Sequence, residues 1–169
     1  MSKPPSRQRS NRAPREKKEF DQQVIDIARV TRVMAGGKRM RFRACIVIGD
    51  RKGRVGMGLA KGADVSGAIT KAVAKAKKHL MNVTIVNETI PHVVEEKFGA
   101  AKVLLKPAPQ GSGIIAGGAV RSLFELAGIR NIVGKMLGSQ NKVNNIQAAL
   151  GALAKLRDIE SIRRIRAIS

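Results

Sequence analysis

The stretch Gly37-Lys38-Arg39-Met40-Arg41-Phe42-Arg43-Ala44-Cys45-Ile46-Val47-Ile48-Gly49 reads as a β-strand, because Met40, Phe42, Ala44, Ile46 and Ile48 fall on one face and Arg39, Arg41 and Arg43 on the other. Three arginines therefore project from one side of one strand. Upstream, Ala35-Gly36-Gly37-Lys38 supplies a turn. The Val- and Ile-rich residues 24–34 before it read as a partner strand whose apolar parity switches between Ile27 and Val30, which predicts a bulge near Ala28. Downstream, Gly49-Asp50-Arg51-Lys52-Gly53 turns into a strand over 54–60, where Val55, Met57 and Leu59 oppose Gly56, Gly58 and Ala60. A face so nearly bare of side chains suits close approach by a helix or a ligand. Asp64 or Ser66 can cap the helix that follows, in which Val65, Ile69, Ala72, Val73, Ala76 and Leu80 recur as a buried face and Lys71, Lys75 and Lys78 line another. Residues 24–81 thus read as a three-stranded antiparallel sheet backed by one helix.

A second unit begins at Asn82, with apolar runs at 83–86, 89–94 and 102–106, the last two joined through Phe98-Gly99. Pro107-Ala108-Pro109 and Gly111-Ser112-Gly113 form a loop ahead of a small-residue helix over 115–127, ended by Gly128. A further apolar stretch, 129–137, precedes Gly138-Ser139-Gln140-Asn141, where Ser139 or Asn141 caps a last helix over 143–156. The fold class is α+β, organised as a basic arm over 1–21, one domain over 22–86, a second over 87–157 and a loose basic tail over 158–169.

The charge narrows the function. Across 169 residues there are 33 Lys+Arg against 12 Asp+Glu, a net +21, which points to a polyanionic partner. The excess is uneven: +6 on residues 1–18, +9 on 19–80, +4 on 81–156 and +2 on 157–169. The first 18 residues set Pro4, Pro5 and Pro14 among Arg7, Arg9, Arg12, Arg15, Lys17 and Lys18, the texture of an unfolded arm. With 43% hydrophobic residues, the remainder has enough apolar side chain for a core. Only Phe20, Phe42, Phe98 and Phe124 are aromatic, so there is little on which to stack bases, and a nucleic-acid binder built this way grips backbone and shape. No run approaches the roughly 18 apolar residues of a membrane span and no apolar signal-peptide stretch opens the chain, which predicts a cytoplasmic protein.

Enzyme chemistry finds no foothold. Cys45 is the single cysteine, and neither it nor His79 and His92 join into a triad or metal site, so catalytic, metal and cofactor residues are expected to be none. Glu95 and Glu96 are adjacent in a strand, point to opposite faces and make a poor acid/base dyad. Gly111-x-Gly113-x-x-x-Gly117 misses the dinucleotide fingerprint by one residue, and Gly134-Lys135-Met136 lacks the upstream glycine and hydroxyl of a P-loop.

Several ordered motifs resemble a known family. Gly53-Arg54-Val55-Gly56-Met57-Gly58-Leu59-Ala60-Lys61, with Ile69-Thr70-Lys71-Ala72 and Ala74-Lys75-Ala76-Lys77-Lys78, is similar to the first half of the bacterial-type small-subunit ribosomal protein five family. Lys106-Pro107-Ala108, the run Gly111-Ser112-Gly113-Ile114-Ile115-Ala116-Gly117-Gly118-Ala119-Val120-Arg121, Glu125-Leu126-Ala127-Gly128 and Gly138-Ser139-x-Asn141-x-x-Asn144 resemble its second half. Ala60, the basic Arg51-Lys52 pair and Lys142, where proline is common, depart from the pattern.

The resemblance implies a variant of the double-stranded-RNA-binding fold followed by a four-stranded α+β domain with a left-handed βαβ crossover. It further implies a structural constituent of the small ribosomal subunit that binds the ribosomal RNA, stabilises head against body, touches small-subunit proteins four and eight, contributes to translational accuracy and lies near the mRNA entry path. No membrane and no small-molecule substrate is implied. By position, Val33, Met34, Ala35, Gly36, Gly37, Lys38 and Arg39 correspond to the hairpin associated in the family with spectinomycin sensitivity. Gly111, Ser112, Gly113, Ile114, Gly117, Gly118 and Arg121 correspond to the contact with protein four. From the charge pattern, Lys38, Arg39, Arg41 and Arg43 are the expected phosphate clamps, with Arg51, Lys52, Arg54 and Lys61 as a second cluster and Lys71, Lys75 and Lys78 as a third. A free-standing double-stranded-RNA-binding regulator, whose module would span about 16 base pairs, is the alternative from another class.

Overall fold

The computed structural model describes residues 19–166. The expected arm over residues 1–18 lies outside them. Residues 19–21, assigned to the arm by composition, belong to the body instead: Phe20 packs against a buried cluster and Asp21 opens the first strand.

The chain runs β1 (Asp21–Met34), β2 (Gly37–Gly49), β3 (Arg54–Gly62), α1 (Val65–Lys78), β4 (Leu80–Asn82), β5 (Val94–Phe98), β6 (Ala101–Pro107), β7 (Ile114–Ile115), α2 (Gly118–Ala127), β8 (Ile132–Gly138), α3 (Lys142–Ala154) and α4 (Ile159–Arg166). The class is α+β. The first sheet is antiparallel in the order β1-β2-β3-β4, so it has four strands rather than three: α1 ends at Lys78, and Leu80, expected on the helix's buried face, opens the three-residue β4 and pairs with Gly56. The second sheet, β5-β6-β8-β7, has four strands, and β7 lies parallel to β8 across α2. The helix expected from residue 115 begins at Gly118, because Ile114 and Ile115 pair with Ile132 and Val133 as a strand. Residues expected as a loose tail form α4 from Ile159.

The first sheet is covered on both faces. On one side Ile46 and Ile48 of β2 pack with Ala72 and Ala76 of α1. Gly56 and Gly58 lie opposite them in the register, and a Cβ at Gly58 would run into the carbonyl of Ala72. The bare glycine face therefore seats a helix, which settles the choice between helix and ligand. Asp64 holds the cap position of α1 through its backbone carbonyl, which accepts from Ala68 N–H at 3.0 Å; its side chain makes no cap hydrogen bond.

On the other side Cys45, Val47 and Val55 join Val103, Leu105, Leu123, Phe124, Ile132, Ile146 and Leu153 in one continuous core. Each large side chain fully buried there contributes on the order of 1.5–3 kcal/mol. The two sheets thus share a core, and the turn after β2 is stitched to the end of α2 by Arg51 N–H to Leu126 O at 3.0 Å and Gly53 N–H to Ala127 O at 2.9 Å. Gly128 closes α2 in the left-handed region (φ 85°), with its α-carbon so near the carbonyl of Arg51 that a side chain would have no room.

The bulge in β1 falls between Val24 and Asp26, not near Ala28. The parity switch at Ile27 to Val30 misled because β2 pairs with β3 only from Phe42 onward, so the section of β1 beside it projects past the sheet and has no core to dictate parity.

Candidate nucleic-acid interface

Beyond β3, the outer parts of β1 and β2 continue as a two-stranded ribbon whose tip is the turn Ala35-Gly36. Met34 pairs with Gly37, and that register sets every other pair: Arg32 faces Arg39, Val30 faces Arg41 and Ala28 faces Arg43, while Arg43 faces Lys61 of β3 on its other side. Paired residues share a face of a sheet. One face of the ribbon therefore carries Arg32, Arg39, Arg41, Arg43 and Lys61, and all of these but Arg43 line a concavity of about 340 Å³ together with Val30, Thr31 and Met34. Between Ile27 and Gly49 there is no acidic residue at all, so the face has a single sign.

Arg32 was absent from the expected clamps. The signal was present: a two-residue turn at Ala35-Gly36 places residue 32 opposite residue 39. Lys38, by contrast, pairs with Val33 on the opposite face, so it sits at the tip without joining the arginine row. Arg43 lies at the base of the ribbon, where its guanidinium reaches the Asp26 carboxylate at 3.5 Å.

The expected second cluster comes apart. Lys61 belongs to the ribbon face, whereas Arg51, Lys52 and Arg54 sit at the opposite end of β3, roughly 20 Å away at about 3.3 Å per residue. Arg54 is committed locally: its Nε donates to Asp50 Oδ2 at 2.7 Å and its guanidinium lies 5.2 Å from the Phe20 ring centroid. The Asp50 side chain is only 7% exposed. Burial works against its charge, but the Arg54 side-chain hydrogen bond, the backbone N–H groups of Lys52 and Arg54 and the Arg54 charge outweigh it and hold the carboxyl below its ordinary value. Lys71, Lys75 and Lys78 are exposed on α1, which lies across the sheet from the arginine row, so the helix and the ribbon face present two separate cationic surfaces.

The glycine loop is held from below. Asn131, nearly fully buried, accepts through Oδ1 from the backbone N–H of both Gly111 and Gly113 at 3.1 Å, leaving Ser112 and the two glycines at the surface. Ile114, Gly117 and Gly118 follow through β7 into α2, and Arg121 pairs with Glu125 at 2.9 Å. Arg51, Arg121 and Arg130 line a polar groove of about 550 Å³ between the domains. Each has its own carboxylate, Asp21, Glu125 and Glu88 respectively, so this seam is balanced in charge where the ribbon is not.

Among the described residues no group of three or more His, Cys, Asp or Glu is placed to hold a metal ion, and no helix is long and apolar enough to cross a membrane. His92 accepts at Nε2 from Arg157 N–H at 3.3 Å and donates from Nδ1 to Val93 O at 3.0 Å, a structural tie. Glu95 pairs with Lys102 at 2.6 Å and Glu96 with Lys155, which separates the two carboxylates. Burial pushes the Cys45 thiol up to about 11.

Two family models match the chain: "Ribosomal protein S5, N-terminal domain" over residues 20–84 and "Ribosomal protein S5, C-terminal domain" over residues 96–166. The chain is 45% identical over 165 residues to the small ribosomal subunit protein uS5c of Rhodomonas salina, covering 97% of this chain and 98% of that one. It is 45% identical over 164 residues to small ribosomal subunit protein uS5 of Trichormus variabilis, covering 96% and 94%. It is 47% identical over 155 residues to uS5c of Guillardia theta, covering 91% and 92%.

Proposed function

The chain belongs to the ribosomal protein S5 family, and on that premise we propose that it is a structural constituent of the small ribosomal subunit, in the cytoplasm or in a plastid, that binds the ribosomal RNA through phosphate contacts. The observation that carries the RNA reading is the single-signed ribbon face of Arg32, Arg39, Arg41 and Lys61, with Arg43 at its base. Guanidinium forks give two hydrogen bonds to a phosphate at once, and a row of them follows a phosphodiester backbone without reading bases. Scarcity of aromatic side chains supports the same mode.

The finer role follows by likeness to the family. The tip over Val33 to Arg39 is the antibiotic-sensitivity loop. The charge-balanced seam and glycine loop, from Gly111 to Arg121, contact protein four, and protein eight is a second neighbour. Through these contacts the chain steadies head against body near the mRNA path and contributes to accuracy. A balanced polar surface beside exposed glycines suits a protein partner better than RNA, which supports dividing the surface this way.

Sucrose-gradient fractionation of a lysate tests the assignment. The chain is expected to co-sediment with small subunits in moderate salt. Recovery mainly in light fractions overturns the reading and favours a free-standing double-stranded-RNA-binding regulator.

A further inference from the structure

The ribbon leaves the sheet where β3 ends, so the direction in which it points is set at its base. The bulge in β1 turns two consecutive side chains toward the second domain: Ile25 packs against the shared core, and Asp26 lies opposite Cys45. The Asp26 carboxylate then divides its two oxygens between two parts of the molecule. Oδ2 accepts from Arg43 Nη2 at 3.5 Å, at the ribbon base, and Oδ1 accepts from Nζ of Lys142, the first residue of α3, at 3.3 Å. The Asp26 side chain is 26% exposed, and 116 positions separate it from its lysine partner.

We propose that Asp26 is a positioning residue, a brace that joins the ribbon base to the second domain and fixes the angle at which Arg32, Arg39 and Arg41 meet an RNA backbone. The proposal rests on the reading of the ribbon as an RNA-binding face. A two-stranded ribbon with no third strand bends readily, and holding it in one orientation removes an ordering cost that binding otherwise meets. Asp26 touches no phosphate in this scheme and acts through Arg43 and Lys142.

The sign of one substitution separates the brace from simple electrostatics. A carboxylate beside a cationic face weakens attraction for phosphate, so Asp26→Asn would tighten RNA binding if the charge acted only through its field. A brace gives the opposite: binding weaker by about threefold to tenfold, the worth of two partly shielded ion pairs, although the net charge has risen by one.

The test uses the full chain with a transcript of small-subunit ribosomal RNA at fixed salt, comparing wild type, Asp26→Asn, Lys142→Gln, the double variant and Lys142→Arg. Expected results are weaker binding for Asp26→Asn, near-normal binding for Lys142→Arg, and a smaller effect of Lys142→Gln once Asp26 is already Asn. Unchanged or tighter binding by Asp26→Asn overturns the proposal.

A second readout needs no RNA. Spin labels on Lys38→Cys and Lys135→Cys, in a Cys45→Ala background, are expected to give a narrow distance distribution that broadens in Asp26→Asn. An equally narrow distribution in the variant overturns the brace. If the wild type fails to bind the transcript, the RNA reading falls and the brace's role with it, whereas a failure confined to Asp26→Asn leaves that reading standing.

Discussion

Replacing Arg32, Arg39 and Arg41 together by Gln removes three cations from one ribbon face and touches no buried side chain, since all three are exposed. Each phosphate neutralised on duplex nucleic acid contributes about 0.9 to the slope of log K against log salt, so the triple variant is expected to flatten that slope by about 2.7. Between 50 and 200 mM salt this difference amounts to about 40-fold: the wild type outbinds the variant by about 40 times more at the lower salt than at the higher. Filter binding or fluorescence anisotropy on the ribosomal RNA transcript across that salt range reads the slope directly. Lys97→Gln serves as the internal comparison, because Lys97 is an exposed lysine of β5 in the second sheet and its loss is expected to change the slope little. Thermal melts should stay within about 0.5 kcal/mol of wild type, as exposed substitutions away from the core do. A slope unchanged within error, with the fold intact, refutes the assignment of these arginines to phosphate.

Gly58→Ala sets a Cβ against backbone, 2.8 Å from the carbonyl carbon of Ala72 and from the amide nitrogen of Ala76, so α1 must lift; urea unfolding is expected to show about 1–3 kcal/mol of destabilisation, and a loss under about 0.5 kcal/mol contradicts the close packing. The Asp50 carboxyl is held below its ordinary value, so its contribution to stability is full above the unfolded value of about 3.9 and is lost as pH falls through the lower folded value. Stability of wild type over Asp50→Asn should accordingly be constant from pH 7 to about 5 and shrink below about 4; a constant difference down to pH 3 speaks against it. Cys45, buried and with its thiol pushed up to about 11, is expected to react with a disulfide reagent at pH 8 only on unfolding in urea, and rapid native reaction contradicts its place in the core.

The alternation in β2 was readable because half of that strand has a core to obey: Ala44, Ile46 and Ile48 are fully buried, and the arginines had to take the other face. Continuation of that arginine face into Cys45 and Val47, which bury against the second domain, was not readable, because much of the core they join, from Val103 to Leu153, lies more than fifty residues further along the chain. The same distance hid Asp26 and Lys142 from each other. Arg32 was hidden for a different reason, since it depends on hairpin register rather than on any pattern in its own strand. Charge proximity in sequence also misgrouped Lys61 with Arg51, Lys52 and Arg54: an antiparallel hairpin carries the start of β3 to one end of the sheet and its finish to the other. The glycine run from Gly111 was conspicuous, but the buried Asn131 that anchors it carries no local signature.

The central claim, that the arginine ribbon of this S5-family chain lies on ribosomal RNA in the small subunit, is tested most directly by placing a hydroxyl-radical source at the ribbon tip. An iron chelate attached to Lys38→Cys in reconstituted subunits, with the same chelate on Lys97→Cys of β5 for comparison, reads which RNA lies near each position. Strong cleavage of small-subunit ribosomal RNA from position 38 is the expected result. An incorporated chain that cleaves RNA from position 97 and not from position 38 contradicts the claim.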